Sequence, residues 1–245
     1  MSELSVFFAL RTEPFTTFEA PNAISTFAFN INPAGAITGY FFDINFVQHG
    51  FVRAPDGIFT TFDAPGTSTV PICINPSRAI AGYYLDASNL YHGFLRAANG
   101  AITAFDAPGG GTAPFEGTFT TGLNTQGAIV GYDFDAGNVS HDFVRAPDGE
   151  ITSFDIPGGG KAPFEGTSSI SINPAGTIAG INTDSSGVGH GFVRAPDGTF
   201  TTFDAPGAGT GTNEGTYPQS ISPAGVIAGF YYDANFAAHD FLRTP

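Results

Sequence analysis

The feature that most constrains this chain is that it repeats itself. "HGFVRAPDG" begins at His49 and returns unchanged at His190, with "HGFLRAANG" at His92 and "HDFVRAPDG" at His141 between them. The five histidines, at 49, 92, 141, 190 and 239, are separated by 43 residues and then three times by 49. A unit of this length cannot bury its own apolar face and must stack on its neighbours, so near-identical copies point to architecture before chemistry.

One unit reads "TSSISINPAG", "TIAGINTD", "HGFVRAPDG", "TFTTFDAPG" from Thr167. Each piece is short, rich in Ile, Val, Thr and Phe, and closed by a Pro, Gly or Asp-Gly turn signal, which is the pattern of antiparallel strands. No window carries a helical period, and 33 Gly and 18 Pro suit many short strands and tight turns. Four strands in a forty-odd-residue repeat predict an all-β fold, a five-bladed β-propeller of four-stranded blades, rather than a parallel solenoid. We read residues 1–245 as a single domain with units near 22–65, 66–107, 108–156, 157–205 and 206–245. Residues 14–21, holding "PFTTFEAP", are expected to supply the missing fourth strand of the last blade and close the ring, hiding its edges. "SVFFALR" at 5–11 aligns with the third strand and is left over, free to add to the last blade or to reach a neighbouring chain; the protein is otherwise expected to be a monomer.

Eight basic against 22 acidic residues give a net charge of −14, which repels nucleic acid and anionic lipid. No run approaches the roughly eighteen apolar residues of a membrane helix, and the opening residues do not read as a signal peptide. Cys73 is the only cysteine, so no internal disulfide forms; it reads as a small buried side chain.

The repeated polar residues read as structural. The histidines share one strand face with Arg53, Arg96, Arg145, Arg194 and Arg243. Equivalent histidines on separate blades lie too far apart to converge on one metal ion, and no metal or other cofactor is expected. If the "PDG" loop is the two residues Asp56-Gly57, Arg53 lies across from Thr60 and Asp63 projects to the opposite face. Asp63, Asp106, Asp155 and Asp204 are then not bridged to arginine within their own hairpin, although pairing between blades stays open. Function is expected where the copies diverge. The loops at 108–118, 157–167 and 206–216 are long and bring Glu116, Glu165 and Glu214 to the same face as the acidic tips between the second and third strands. With no Trp, the sugar-stacking candidates are Tyr83, Tyr132 and Tyr231. Asp133, Asp135 and Asn138 fall short of the ligand count of a calcium loop.

The "HGF[VL]R" and "INPAG.IAG" combination resembles the HAF-type repeat family of bacterial proteins over nearly the whole chain, the third unit departing with "LNTQGAIVG". That resemblance implies a propeller-like fold and an extracellular setting, and carries no reaction. The expected function is therefore a non-enzymatic binding or scaffold module whose loop face meets a glycan or a protein, where repetition gives avidity. The alternatives are a glycoside hydrolase using loop carboxylates, and a minimal or engineered repeat scaffold with no ligand.

Overall fold

The computed structural model describes residues 15–245, and every element in it is a β-strand. The first unit comprises β1 (Ser25–Ile31), β2 (Ile37–Phe42), β3 (Gln48–Arg53) and β4 (Phe59–Phe62). The second comprises β5 (Ser68–Ile74), β6 (Ile80–Leu85), β7 (Tyr91–Arg96) and β8 (Ile102–Phe105). The third has β9 (Gly117–Leu123), β10 (Ile129–Phe134), β11 (Ser140–Arg145) and β12 (Ile151–Phe154). The fourth has β13 (Gly166–Ile172), β14 (Ile178–Thr183), β15 (Gly189–Arg194) and β16 (Phe200–Phe203). The last has β17 (Gly215–Ile221), β18 (Ile227–Tyr232) and β19 (Ala238–Arg243). Within each unit consecutive strands pair antiparallel. Single parallel bridges such as Gln48–Ser68 and Ser140–Gly166 run between units, so hydrogen bonding is continuous through all nineteen strands.

The hairpins share one turn, and it corrects the register expected from sequence. Ala54 N–H donates to Ile58 O and Gly57 N–H to Ala54 O, enclosing the three residues Pro55-Asp56-Gly57, of which only Gly57 has positive φ. The ladder therefore sets Arg53 opposite Phe59 and Gly50 opposite Phe62, rather than Arg53 opposite Thr60. A slip of one residue moves a whole strand face. Asp63 consequently falls on the histidine's side of the sheet, not on the opposite one. The same closure recurs at Asn32–Ala36, and at Asn124–Ala128 despite its altered sequence, with the Asn side-chain oxygen accepting two backbone N–H groups in each.

Units stack face to face. Phe51, Phe94, Phe143 and Phe192, the aromatic of each "HGFVR" copy, are fully buried together with Ile80, Ile129, Ile178 and Ile227. Each such face packs on the preceding unit: Phe94 and Ile80 against Val52 and Phe62, and Phe192 and Ile178 against Val130 and Phe154. Among the described residues the arginines form no ion pair with aspartate. Each guanidinium lies over a phenylalanine of the preceding unit: Arg96 over Phe62 at 4.7 Å, Arg145 over Phe105 at 5.1 Å and Arg243 over Phe203 at 4.7 Å. Buried threonines also stitch the units, with Thr69, Thr118, Thr167 and Thr216 hydroxyls accepting the N–H of Ala64, Ala107, Ile156 and Ala205. An amide ladder from Asn32 through Asn75, Asn124 and Asn173 to Ser222 runs across the first strands. All five first strands surround one cavity of about 370 Å3, so the units radiate from a common centre.

The chain ends differ from expectation. Phe18 and Ala20 do occupy the station of a preceding fourth strand, packing on Phe41 and Phe51 beneath the Arg53 guanidinium, which is 4.8 Å from the Phe18 ring. However, residues 15–21 form no strand and, among the described residues, no ladder joins them to β19, so the described part of the expected closing segment 14–21 does not pair there as a strand. The segment is instead tied to its own first unit: Ala20 N–H donates to Thr26 Oγ1 and Ile24 N–H to Phe42 O. Among the described residues nothing covers the outer face beyond β19, where Leu242 is 76% exposed, and on the first unit Ile31 is 62% exposed. The leftover strand expected at 5–11 lies outside the described residues, as does Arg11.

Candidate functional site

Because Asp63 shares the histidine's side, each "HGF" histidine becomes the centre of a carboxylate clamp. His49 Nδ1 lies 2.8 Å from Asp63 Oδ1, and the distances are 2.7 Å for His92–Asp106, 2.9 Å for His141–Asp155 and 2.8 Å for His190–Asp204. Nε2 faces a second carboxylate, from the tip between the second and third strands: Asp86, Asp135 and Asp184 at 3.4 Å and Asp233 at 3.2 Å. Burial disfavours the His141 and His190 imidazolium ions, but hydrogen bonds and charge from both aspartates outweigh it and raise both groups. The tip aspartates accept two backbone N–H groups each, as Asp43 does from Val47 and Asn45, which holds its carboxyl below the ordinary range. These clamps fasten loop tips to strands, and their repetition marks them as structural. No group of three metal-ligating side chains converges among the described residues.

The sequence-predicted ligand contacts fall elsewhere. Glu116 and Glu214 are buried, and the Oε2 atoms of Glu116, Glu165 and Glu214 accept the N–H of Ala113, Ala162 and Gly211 at 2.7–2.8 Å. Each carboxylate thus closes a turn of its own loop through Oε2. Tyr132 stacks on Phe119 at 5.3 Å, while Tyr83 packs edge-on to Phe119 and Tyr91, its hydroxyl pushed up to about 12 by burial and neighbouring tyrosines. Tyr231 stacks on the His239 imidazole at 5.0 Å. All three residues are half-buried, each ring packed on an aromatic neighbour.

What the loops present instead is phenylalanine. The turns closed by Glu116 and Glu165 hold Phe115 and Phe164 at φ 69° and 68°, with side chains 62% and 76% exposed. For a bulky residue this is a rare backbone region. Phe115 N–H donates to Asn89 O and Phe164 N–H to Asn138 O, so each long loop docks on the strand tip of the preceding unit, on the shared face expected from sequence. The same long loop, between the third and fourth units, walls a pocket of about 470 Å3 lined by Asp135, His141, Asp155, the glycines of "PGGGK" and Lys161, the only lysine in the sequence. Its volume is that of a small-molecule site.

The third unit also buries two carboxylates: Asp142, not noticed in the sequence, and Asp133, noticed there only as part of an incomplete calcium loop. Asp133 stands where the first, second and last units have Phe41, Tyr84 and Tyr231 stacked on histidine; it is fully buried with neither oxygen hydrogen-bonded. Burial pushes it up to about 7, against the opposing pull of His141. Asp142 stands where Gly50, Gly93 and Gly191 lie against a phenylalanine; a Cβ at Gly93 would be 2.5 Å from the Phe105 ring. In this unit the Phe154 ring also pairs with Phe200 at 5.8 Å, where Phe105 pairs edge-on with Phe143. Its compensation is the Ser169 N–H, which donates to Asp142 Oδ1; the corresponding Pro71 and Pro218 have no N–H to satisfy. Setting the copies in register and marking departures is the signal that would have found both.

No family model matches the chain, and no curated protein does. Solved structures do. Streptogramin B lyase superposes with a TM-score of 0.56 at 12% identity, covering 91% of this chain and 70% of that one. TolB from Acinetobacter baumannii gives 0.59 at 14% identity, covering 90% and 52%. The fold is a β-propeller. A mutant of AofleA from Arthrobotrys oligospora gives 0.53 at 15% identity over 88% and 68%. The propeller here spans about half the length of TolB, and at such identities the likeness is one of fold alone.

Proposed function

We propose that this propeller has five blades, belongs with the HAF-type repeats on its motifs, and is a non-enzymatic binding module for a saccharide. The observation that carries the reading is the pair Phe115 and Phe164. Holding two phenylalanines at positive φ and exposing them works against stability twice, through the backbone and through apolar area left in water. Glu116 and Glu165 are positioning residues for that arrangement. An exposed aromatic ring takes the apolar face of a sugar, and the adjoining pocket offers Lys161 and the Asp155–His141 pair to its hydroxyls. A glycoside hydrolase has less support. Asp133, whose protonation lies near neutrality, has no exposed surface with which to meet a substrate.

A glycan array followed by titration of the best hit tests this. Phe164→Gly is expected to weaken binding at least tenfold while leaving the protein as stable as the parent or slightly more so, since glycine adopts this φ freely. A blank array, or full affinity in a Phe115→Gly/Phe164→Gly variant, would remove the reading.

A further inference from the structure

The turn between β5 and β6 breaks the rule its siblings keep. Gly35, Gly127, Gly176 and Gly225 close the equivalent turns at φ 81–92°. The second unit places Arg78 there at φ 64°, a conformation that glycine tolerates and a long side chain does not favour. The β7–β8 turn, at the same end of that unit, departs as well. Where three units carry an aspartate beside the stacked arginine, at Asp56, Asp148 and Asp197, the second carries Asn99, and Ala98 replaces the proline before it. One cation has been added and one anion removed at the same spot.

The two departures meet. Arg78, Arg96, Ala98 and Asn99 line a pocket of about 170 Å3, with Thr60 and Val52 of the first unit on its far side. Arg96 is only 9% exposed, its guanidinium face is covered by Phe62, and its buried Nε has no hydrogen-bond partner. Among the described residues no carboxylate pairs with Arg78 or Arg96. Burial first, and the Arg78 charge second, bring the Arg96 guanidinium below its ordinary range. In the fourth unit burial also brings the Arg194 guanidinium below its ordinary range, but the charges near it are the anions Asp142 and Asp197 rather than a second cation. The corresponding pocket of the last unit has Arg243 with Gly225 and hence one guanidinium.

Two like charges, one of them desolvated, in a protein with a net charge of −14, require a reason. We propose that Arg78, Arg96 and Asn99 form a binding site for a tetrahedral oxyanion, a sulfate or phosphate group. Guanidinium edges and an amide supply directed N–H donors for its oxygens, and the anion supplies the missing counter-charge. The site lies on the turn face, opposite the phenylalanine loops, and does not depend on them.

The arginine Nε–Hε resonances report on it directly. Titration with sodium sulfate at ionic strength held constant with sodium chloride should shift Arg78 and Arg96 along one saturating curve. Arg194 and Arg243 should drift without saturation. Arg78→Gly restores the sibling turn, so it should fold at least as well and lose the saturating response at Arg96. Inorganic phosphate should compete, and glucose 6-sulfate separates the sources: tighter binding than sulfate assigns an ester, equal binding a free ion, and either upholds the site. Four arginines drifting alike, Arg96 saturating unchanged in Arg78→Gly, or acetate binding more tightly than sulfate would overturn it.

Discussion

Asp133→Asn is expected to leave stability nearly pH-independent relative to the parent at pH 4 and to open a gap of roughly 2–4 kcal/mol in the variant's favour by pH 8. The direction follows from linkage. The folded carboxyl is raised from 3.8 to about 7, so below the unfolded value both states are protonated and no penalty exists. Between the two values the unfolded chain has released its proton while the folded one retains it, so stability is lost as pH rises through that window. Above about 7 the loss is complete and constant. Asparagine cannot ionise, and Asn182 already occupies this position in the fourth unit, so the exchange has a precedent in the same fold. Asp142 is also raised by burial and acts in the same direction in both proteins, so it largely cancels in the comparison. Urea unfolding of both proteins from pH 4 to 8 measures the gap. A constant difference across that range would mean that Asp133 ionises freely in the fold.

Phe18→Ala is expected to cost about 2–4 kcal/mol, and Leu242→Ala less than about 0.5 kcal/mol. Phe18 covers Phe59 and carries the Arg53 guanidinium, so its loss leaves a cavity over the first unit and removes a cation–π contact. Leu242 is the last-unit counterpart of Val52, which is buried against the second unit, yet nothing among the described residues covers Leu242. Denaturant midpoints of the two variants, with Val52→Ala beside them, read the contrast. Leu242→Ala costing as much as Val52→Ala would mean that the last unit is covered in solution and the ring is shut.

The repeat made most of the fold legible. A unit of four strands and its turn residues follow from alternation and from Pro, Gly and Asn-Pro punctuation. One loop length was not legible: Pro55-Asp56-Gly57 and Asp56-Gly57 are both acceptable turn sequences, and the choice decides whether Asp63 meets His49 or faces away. The pairing of arginine with phenylalanine was hidden for another reason. It forms between units, and a strand pattern fixes faces but not which neighbour a face meets. The glutamates were noticed because they are charged and lie in loops, while their use in closing turns needed backbone coordinates. Arg78, Asn99, Asp133 and Asp142 were readable in principle as exceptions to the repeat, since each breaks a column that the other units largely keep.

On the proposed reading, the identical parts of this propeller hold it together and ligands are met where the copies differ. Hydrogen exchange of the protein with and without the best saccharide hit from the array tests it most directly. Protection confined to residues 113–116, 139–141 and 155–166 is the predicted result. Equal protection at the corresponding loops of all five units would contradict it.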